Sequence, residues 1–208
     1  VVVGGRLVGG GASGGRGIVR VDGSEYARGE GVLFDLIGRG SDTDAREASV
    51  RAICDRYGVD ADQAARVEAT AMVLFDQVEG ELQLEPDDRR LLSWAAQVHE
   101  LGLAIAHSQY HQHGAYVLEH SDIAGFSRTE QQSLAAVVRN QRRGIHLPSF
   151  GKLPDRLVPN VLRCALILRL AVLLHRGHDR DPLPPLELRL DGPHSATLSL
   201  PRRWLDSH

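Results

Sequence analysis

Cysteine is scarce in this 208-residue sequence: Cys54 and Cys164 are the only two, far apart and each within an apolar helical pattern. That placement excludes a disulfide framework and fits a reducing, cytoplasmic setting. Lysine is scarcer still, because Lys152 stands alone and arginine supplies 23 of the 24 basic residues. Charge of neither sign dominates, the formal net charge being −3 from 24 basic and 27 acidic residues. No global basic field points to nucleic acid and no acidic tail is present, so any anion-binding surface must be a local patch. Long apolar runs are missing too. Nothing approaches the ~20 uninterrupted apolar residues of a membrane span, and the opening VVVGGRLVGG is cut by Arg6 and by glycines, so it is no signal-peptide core. Val1 stands where an initiator methionine would, from which we expect a piece of a longer protein.

What is present describes a globular chain. The composition is 42% hydrophobic and 25% charged, ordinary for a folded protein, and the length suits one domain or one and a fraction. Glycine is uneven, with 13 of 22 in residues 1–40. There GGRLVGGGASGGRG has neither a helical nor an alternating period, and each glycine raises the entropic cost of ordering, so residues 4–17 are expected to be poorly ordered. A phosphate loop is not indicated, because no GxGxxG opens a helix and no GxxxxGK[ST] occurs.

From Ser41 the pattern turns helical. Ser41 and Asp42 are capping types ahead of a helix to about Tyr57, stopped by Gly58. Asp60 caps a second helix with Ala64, Val67, Ala71, Leu74, Phe75 and Val78 at three- and four-residue spacing. Pro86 and Asp87 start a third, carrying Leu91, Leu92, Trp94, Val98 and Leu101 up to Gly102. Further helices are predicted over 109–119, from Ser127 with Glu130 as a capping box, and over the central apolar run Val161–Leu174. Beyond Gly177, Pro182, Pro184 and Pro185 forbid helix. Leu186, Leu188 and Leu190, then Ala196, Leu198 and Leu200, alternate about a turn and predict a β-hairpin. A lone hairpin is marginal in water, so its partner strands are expected in another chain or in sequence missing from this one.

Five of the ten histidines, His99, His107, His111, His113 and His120, crowd residues 99–120. Imidazole is both a metal ligand and an acid–base group. A metal site needs three or four converging ligands, and His107 and His111 at i, i+4 would share a helix face, but no HExxH is present. The plainer alternatives are a helix-end role for His120 and a hydrogen-bonded core position for His99. On the next helix Arg139, Arg142 and Arg143 come at i, i+3, i+4. Arginine's planar fork takes phosphate oxygens bidentately, and His111, His113 and His146 are placed to face the same groove. The competing reading is a solvated helix face.

The segments LLSWAAQVHELGLAIAHSQYHQHGAYVLEHSDIAGFSRTEQQSLAAVVRNQRR and LRLAVLLHR resemble the helical C-terminal module, of HD-domain type, of the exopolyphosphatase and guanosine-pentaphosphate phosphatase family. EGVLFDLIGR at 30–39 resembles the joint with that family's ATPase-like half. The resemblance implies a mainly α, HD-like bundle with a short C-terminal β-hairpin: residues 1–40 as a glycine-rich remnant or linker, 41–180 as the helical domain and 181–208 as a truncated hairpin subdomain. It implies Mg²⁺-dependent hydrolysis in N-terminal domains that this chain lacks, with no cofactor expected here. His99-Glu100 stands where an HD enzyme has its His-Asp pair, so no metal is expected, and His99, Glu100 and His107 are the candidates if one binds. Arg139, Arg142, Arg143, His111 and His113 would then bind inorganic polyphosphate, or guanosine pentaphosphate, in a homodimer. No membrane or nucleic-acid partner is expected. Rival readings are an autonomous metallophosphohydrolase and a dimerisation domain using Leu166–Leu174.

Overall fold

The computed structural model describes residues 6–8, 16–22, 42–192 and 195–205. Its elements run β1 (Arg6–Val8), β2 (Arg16–Asp22), α1 (Asp42–Tyr57), α2 (Ala61–Leu82), α3 (Pro86–Gln97), a 3-10 turn at Leu101–Ala104, α4 (Tyr110–His120), α5 (Arg128–Asn140), a second 3-10 turn at Leu147–Ser149, α6 (Val158–Leu174), β3 (Glu187–Leu190), β4 (Ser195–Pro201) and α7 (Arg202–Leu205). The protein is mainly α with a hairpin near its C-terminal end, as the sequence predicts.

The caps form where short polar side chains precede apolar periodicity. The Asp60 carboxylate accepts from the Gln63 N–H at 2.9 Å. Ser127 and Glu130 close a reciprocal box, Ser127 N–H donating to Glu130 Oε2 at 2.8 Å and Glu130 N–H to Ser127 Oγ at 3.2 Å. Pro86 opens α3, where its missing N–H costs nothing. The faces so set pack α6 against α2, α3 and α5, and Leu74, Phe75, Leu92, Leu101, Leu118, Leu134 and Leu168 are fully buried between them. Both cysteines are unbridged, and burial raises both thiols, that of Cys54 to about 11.

Two expectations need correcting. The third helix ends at Gln97, not at Gly102. Gly102 lies in the 3-10 turn for a steric reason: a Cβ there would sit 1.9 Å from Tyr110 O and 2.5 Å from Gly114 N. The chain backbones of the turn and α4 are in direct contact. The hairpin, in turn, is not alone, because the four strands are antiparallel in the order β1-β2-β4-β3. Leu7, Val19, Leu198 and Leu188 are in register across the four strands. So Arg6–Val8, within the stretch 4–17 expected to lack a period, and Arg16–Asp22, which begins in it, are strands. The remainder of residues 1–41, including the proposed joint at 30–39, lies outside the described residues.

The β3 edge is closed by a side chain. Gln77 of α2 donates to Leu186 O at 3.1 Å and accepts from the Leu188 N–H at 2.7 Å, so its amide takes the place of a neighbouring strand's backbone.

Gly102→Ala is expected to destabilise by about 1–3 kcal/mol or more, the cost of overpacking. Gly80→Ala, at an exposed position of α2 with nothing within 4 Å of the new Cβ, should stabilise by about 0.5–1 kcal/mol. Urea midpoints of the two variants check both signs.

Candidate functional site

The 3.6-residue period of α4 places His111, Gly114, Ala115 and Leu118 on its buried stripe. His111 is thereby carried into the interior, 1% exposed, with neither ring nitrogen hydrogen-bonded. Its surroundings are cationic. The charges of Arg139 at the end of α5, of Arg142 and Arg143 just beyond it, and of Arg169 on α6 all act on it. Burial first, then those four charges, push the imidazole down to about 4. Burial likewise lowers Arg139 and Arg169.

The cluster is tied together by backbone. Arg169 donates to Asn140 O at 3.2 Å and also to Arg143 O. Arg143 has φ 66°, in the left-handed region, where the chain leaves α5. The Arg142 guanidinium lies 5.3 Å from the centroid of Tyr110, a cation–π contact on the residue preceding His111. Among the described residues, ion pairs join arginine or lysine to carboxylate at Arg46–Glu130, Arg89–Asp76, Arg90–Asp87, Lys152–Glu119 and Arg189–Glu187. None of the four clustered arginines is in that set.

The single groove envisaged from sequence is divided in two. His113, Arg139, His146 and Lys152 line a cleft of about 500 Å³ between α4, α5 and the second 3-10 turn. His111, Arg142 and Arg143 do not line it. Asn140 couples the two parts, accepting from the His146 N–H at 2.6 Å and donating to Ser149 Oγ at 2.8 Å.

His99 and Glu100 lie in a separate buried cluster. A carbonyl only accepts, so His99 Nδ1 carries the proton it donates to Ala96 O at 2.7 Å. Nε2 has no hydrogen-bond partner and stands 3.8 Å from Glu100 Oε1. Glu100 is engaged by His178 Nε2 at 3.0 Å, Gln141 donates to His99 O at 2.6 Å, and His175 Nε2 is 2.7 Å from Thr70 Oγ1. His107 is exposed and apart from this group. Among the described residues no three His, Cys, Asp or Glu side chains are arranged to hold a metal. Mg²⁺ demands octahedral oxygen ligands, and a lone carboxylate already engaged by an imidazole does not fit it.

Sequence reasoning missed Arg169, His175 and His178. Arg169 was visible as a charge inside the most apolar helix, where an unneeded charge would be costly. No sequence signal joined His178 to Glu100, 78 positions away.

Residues 45–208 match the family model described as Ppx/GppA phosphatase, domain III. The chain belongs to the Ppx/GppA phosphatase family. Over 180 residues it is 33% identical to a guanosine-5'-triphosphate,3'-diphosphate pyrophosphatase of Aeromonas hydrophila subsp. hydrophila, an alignment covering 86% of this chain and 36% of that relative. The chain thus spans about a third of the length of the curated Ppx/GppA relative it matches. Both the arginine cluster and the His99–Glu100 cluster lie within the matched domain III residues. No helix of the described residues is long and apolar enough to cross a membrane.

Burial is the main reason that His99 is pushed down from 6.5 to about 4. Between these values the unfolded chain binds more protons than the folded one, so stability falls as pH drops through about 6.5 to about 4. Glu100, raised by burial, works in the opposite sense because its folded form holds a proton to higher pH. His99→Gln should therefore flatten the acid limb of stability by up to about 3 kcal/mol, read from urea midpoints across that range.

Proposed function

We propose that this chain is the substrate-gripping module of a Ppx/GppA-type hydrolase that removes terminal phosphate from inorganic polyphosphate. The observation that carries the reading is the gathering of arginines where α5 meets α6: Arg169 is hydrogen-bonded to Asn140 O and Arg143 O, Arg142 lies over Tyr110, and the charges of these three and of Arg139 all act on His111, with no carboxylate ion-paired to any of the four among the described residues. Holding four cations together unneutralised is electrostatically unfavourable, and a polyanion offsets that cost. Arginine forks suit phosphate oxygens. The adjoining cleft, with His113, Arg139, His146 and Lys152 on its walls, continues the cationic surface, so a chain of phosphates has more than one point of attachment.

Hydrolysis itself we assign to other domains of the parent enzyme, with Mg²⁺ supplying charge neutralisation there. In that enzyme the module acts within a cytoplasmic homodimer as an HD-type bundle. The rival dimerisation-only reading keeps part of its surface: of Leu166–Leu174, Ile167, Leu168 and Ala171 are buried within the bundle, and Leu173 is 57% exposed. A second reading, guanosine pentaphosphate as the substrate, is favoured by the name of the Aeromonas relative. The same arginines would then hold the nucleotide's phosphates.

Retention of long-chain polyphosphate on a filter, measured across a salt series, tests the assignment. Binding should fall steeply with salt through counterion release. Combined Arg142→Glu and Arg143→Glu should cost at least about tenfold in affinity, because two phosphate contacts become repulsions. Unchanged retention in that variant would refute the arginine site, and full competition by guanosine pentaphosphate at lower concentration would favour the nucleotide.

A further inference from the structure

The cleft between α4 and α5 carries chemistry that a chain of phosphates does not use. Its two helical walls are antiparallel: Gln131 near the start of α5 donates to Leu118 O near the end of α4 at 2.6 Å, and a Cβ on Gly114 would meet Val138 Cγ1 at 3.4 Å. The lining residues therefore sort into two ends. At one, His113 of α4 stands with Arg139 of α5, and His146 joins them from the loop beyond. At the other, Tyr116 and Glu119, about one and two turns further along α4, stand with Gln132. The floor is formed by Ala115, Ala135 and Ala136, which are buried and reach no further than Cβ.

Tyr116 is 63% exposed although it lines this cleft. One face of its ring lies against His120, with centroids 4.2 Å apart and planes 25° apart. His120 Nδ1 donates in turn to Tyr116 O at 2.8 Å, so the stack is held in place from its own helix. Inorganic polyphosphate has neither an aromatic nor an apolar part, and under it this ring and the alanine floor would stay bare. A ligand that uses both ends of the cleft carries a flat aromatic group at one end and an anion at the other.

We propose that the α4–α5 cleft is a purine nucleotide site, with the base stacked on Tyr116 above the alanine floor and the phosphate at His113, Arg139 and His146. The volume of about 500 Å³ suits a small molecule. A purine offers a larger face for stacking than a pyrimidine. Gln132 brings an amide, and Glu119, ion-paired with Lys152, brings a carboxylate that only accepts, so both can meet the polar edge of a base. Arg139 lines the cleft and also acts on His111. Nucleotide and polyphosphate accordingly compete for one guanidinium, and that consequence alone rests on the polyphosphate reading above.

Equilibrium dialysis of the chain against AMP, GMP and ribose 5-phosphate tests the site itself. Both nucleotides should bind, and ribose 5-phosphate at least about fivefold more weakly, the least that stacking of a base on an aromatic side chain contributes. Tyr116→Ala should remove that difference and Tyr116→Phe should keep it; the position is exposed, so urea midpoints of both variants should match the wild type. Equal binding of ribose 5-phosphate, or a Tyr116→Ala chain that holds nucleotide as the wild type does, would overturn the proposal. So would absence of nucleotide binding, whatever polyphosphate does. Retention of polyphosphate by Tyr116→Ala is expected to be unchanged, and the fate of the arginine site is read separately from the Arg142 and Arg143 variant.

Discussion

Much of this domain hangs on one place where two backbones touch. Gly102 and Gly114 meet so closely that a methyl group at the first would fall inside the carbonyl of Tyr110. That contact presses the turn after α3 onto α4. His99 and Glu100 lie just before one glycine and His111 three residues before the other, so the approach sets the depth of both polar clusters at once. A larger residue at either position would lever α4 outward and change the distance between His111 and the arginines carried by α5 and α6.

The arrangement around His111 is unlike one shaped by stability alone. A core position with no hydrogen bond and four cations nearby is worth less to the fold than a leucine would be. The α2–α6 core, together with the capped helices, absorbs that deficit. The other cluster shows the contrasting solution: His99 is anchored to Ala96 O and its backbone carbonyl is held by Gln141, while Glu100 is compensated by His178. Both clusters bury imidazole, but only that around His111 leaves a concentration of uncompensated charge.

The helices were legible because caps and periodicity are local. Asp60, Pro86 and Ser127 start helices where the sequence says they should. The end of α3 was not, since a glycine that stops a helix and a glycine that admits another backbone look alike until the second backbone is placed. Alternation in GIVRVD was overshadowed by the glycines ahead of it, and a strand's partner some 180 positions away leaves no local trace. At the candidate site the arginine spacing on α5 was readable. The separation of buried His111 from groove-lining His113 was available in principle, because His111, Gly114, Ala115 and Leu118 repeat at helical intervals. Arg169 belongs to a different helix, and only packing brings it to the same point.

Pairing of β2 with β4 joins residues about 180 positions apart. During synthesis β2 leaves the ribosome well before β4 exists. At cellular elongation rates the interval is on the order of ten seconds, ample time for the local helical contacts of α2 to α6 to form. The sheet must then close over a bundle already made, and until it does β2 carries unpaired backbone groups. The Gln77 amide has a place in that order of events: by fixing β3 to α2 it readies the hairpin as a template, so that the last step of folding is the addition of the β1–β2 pair to an edge already held in position.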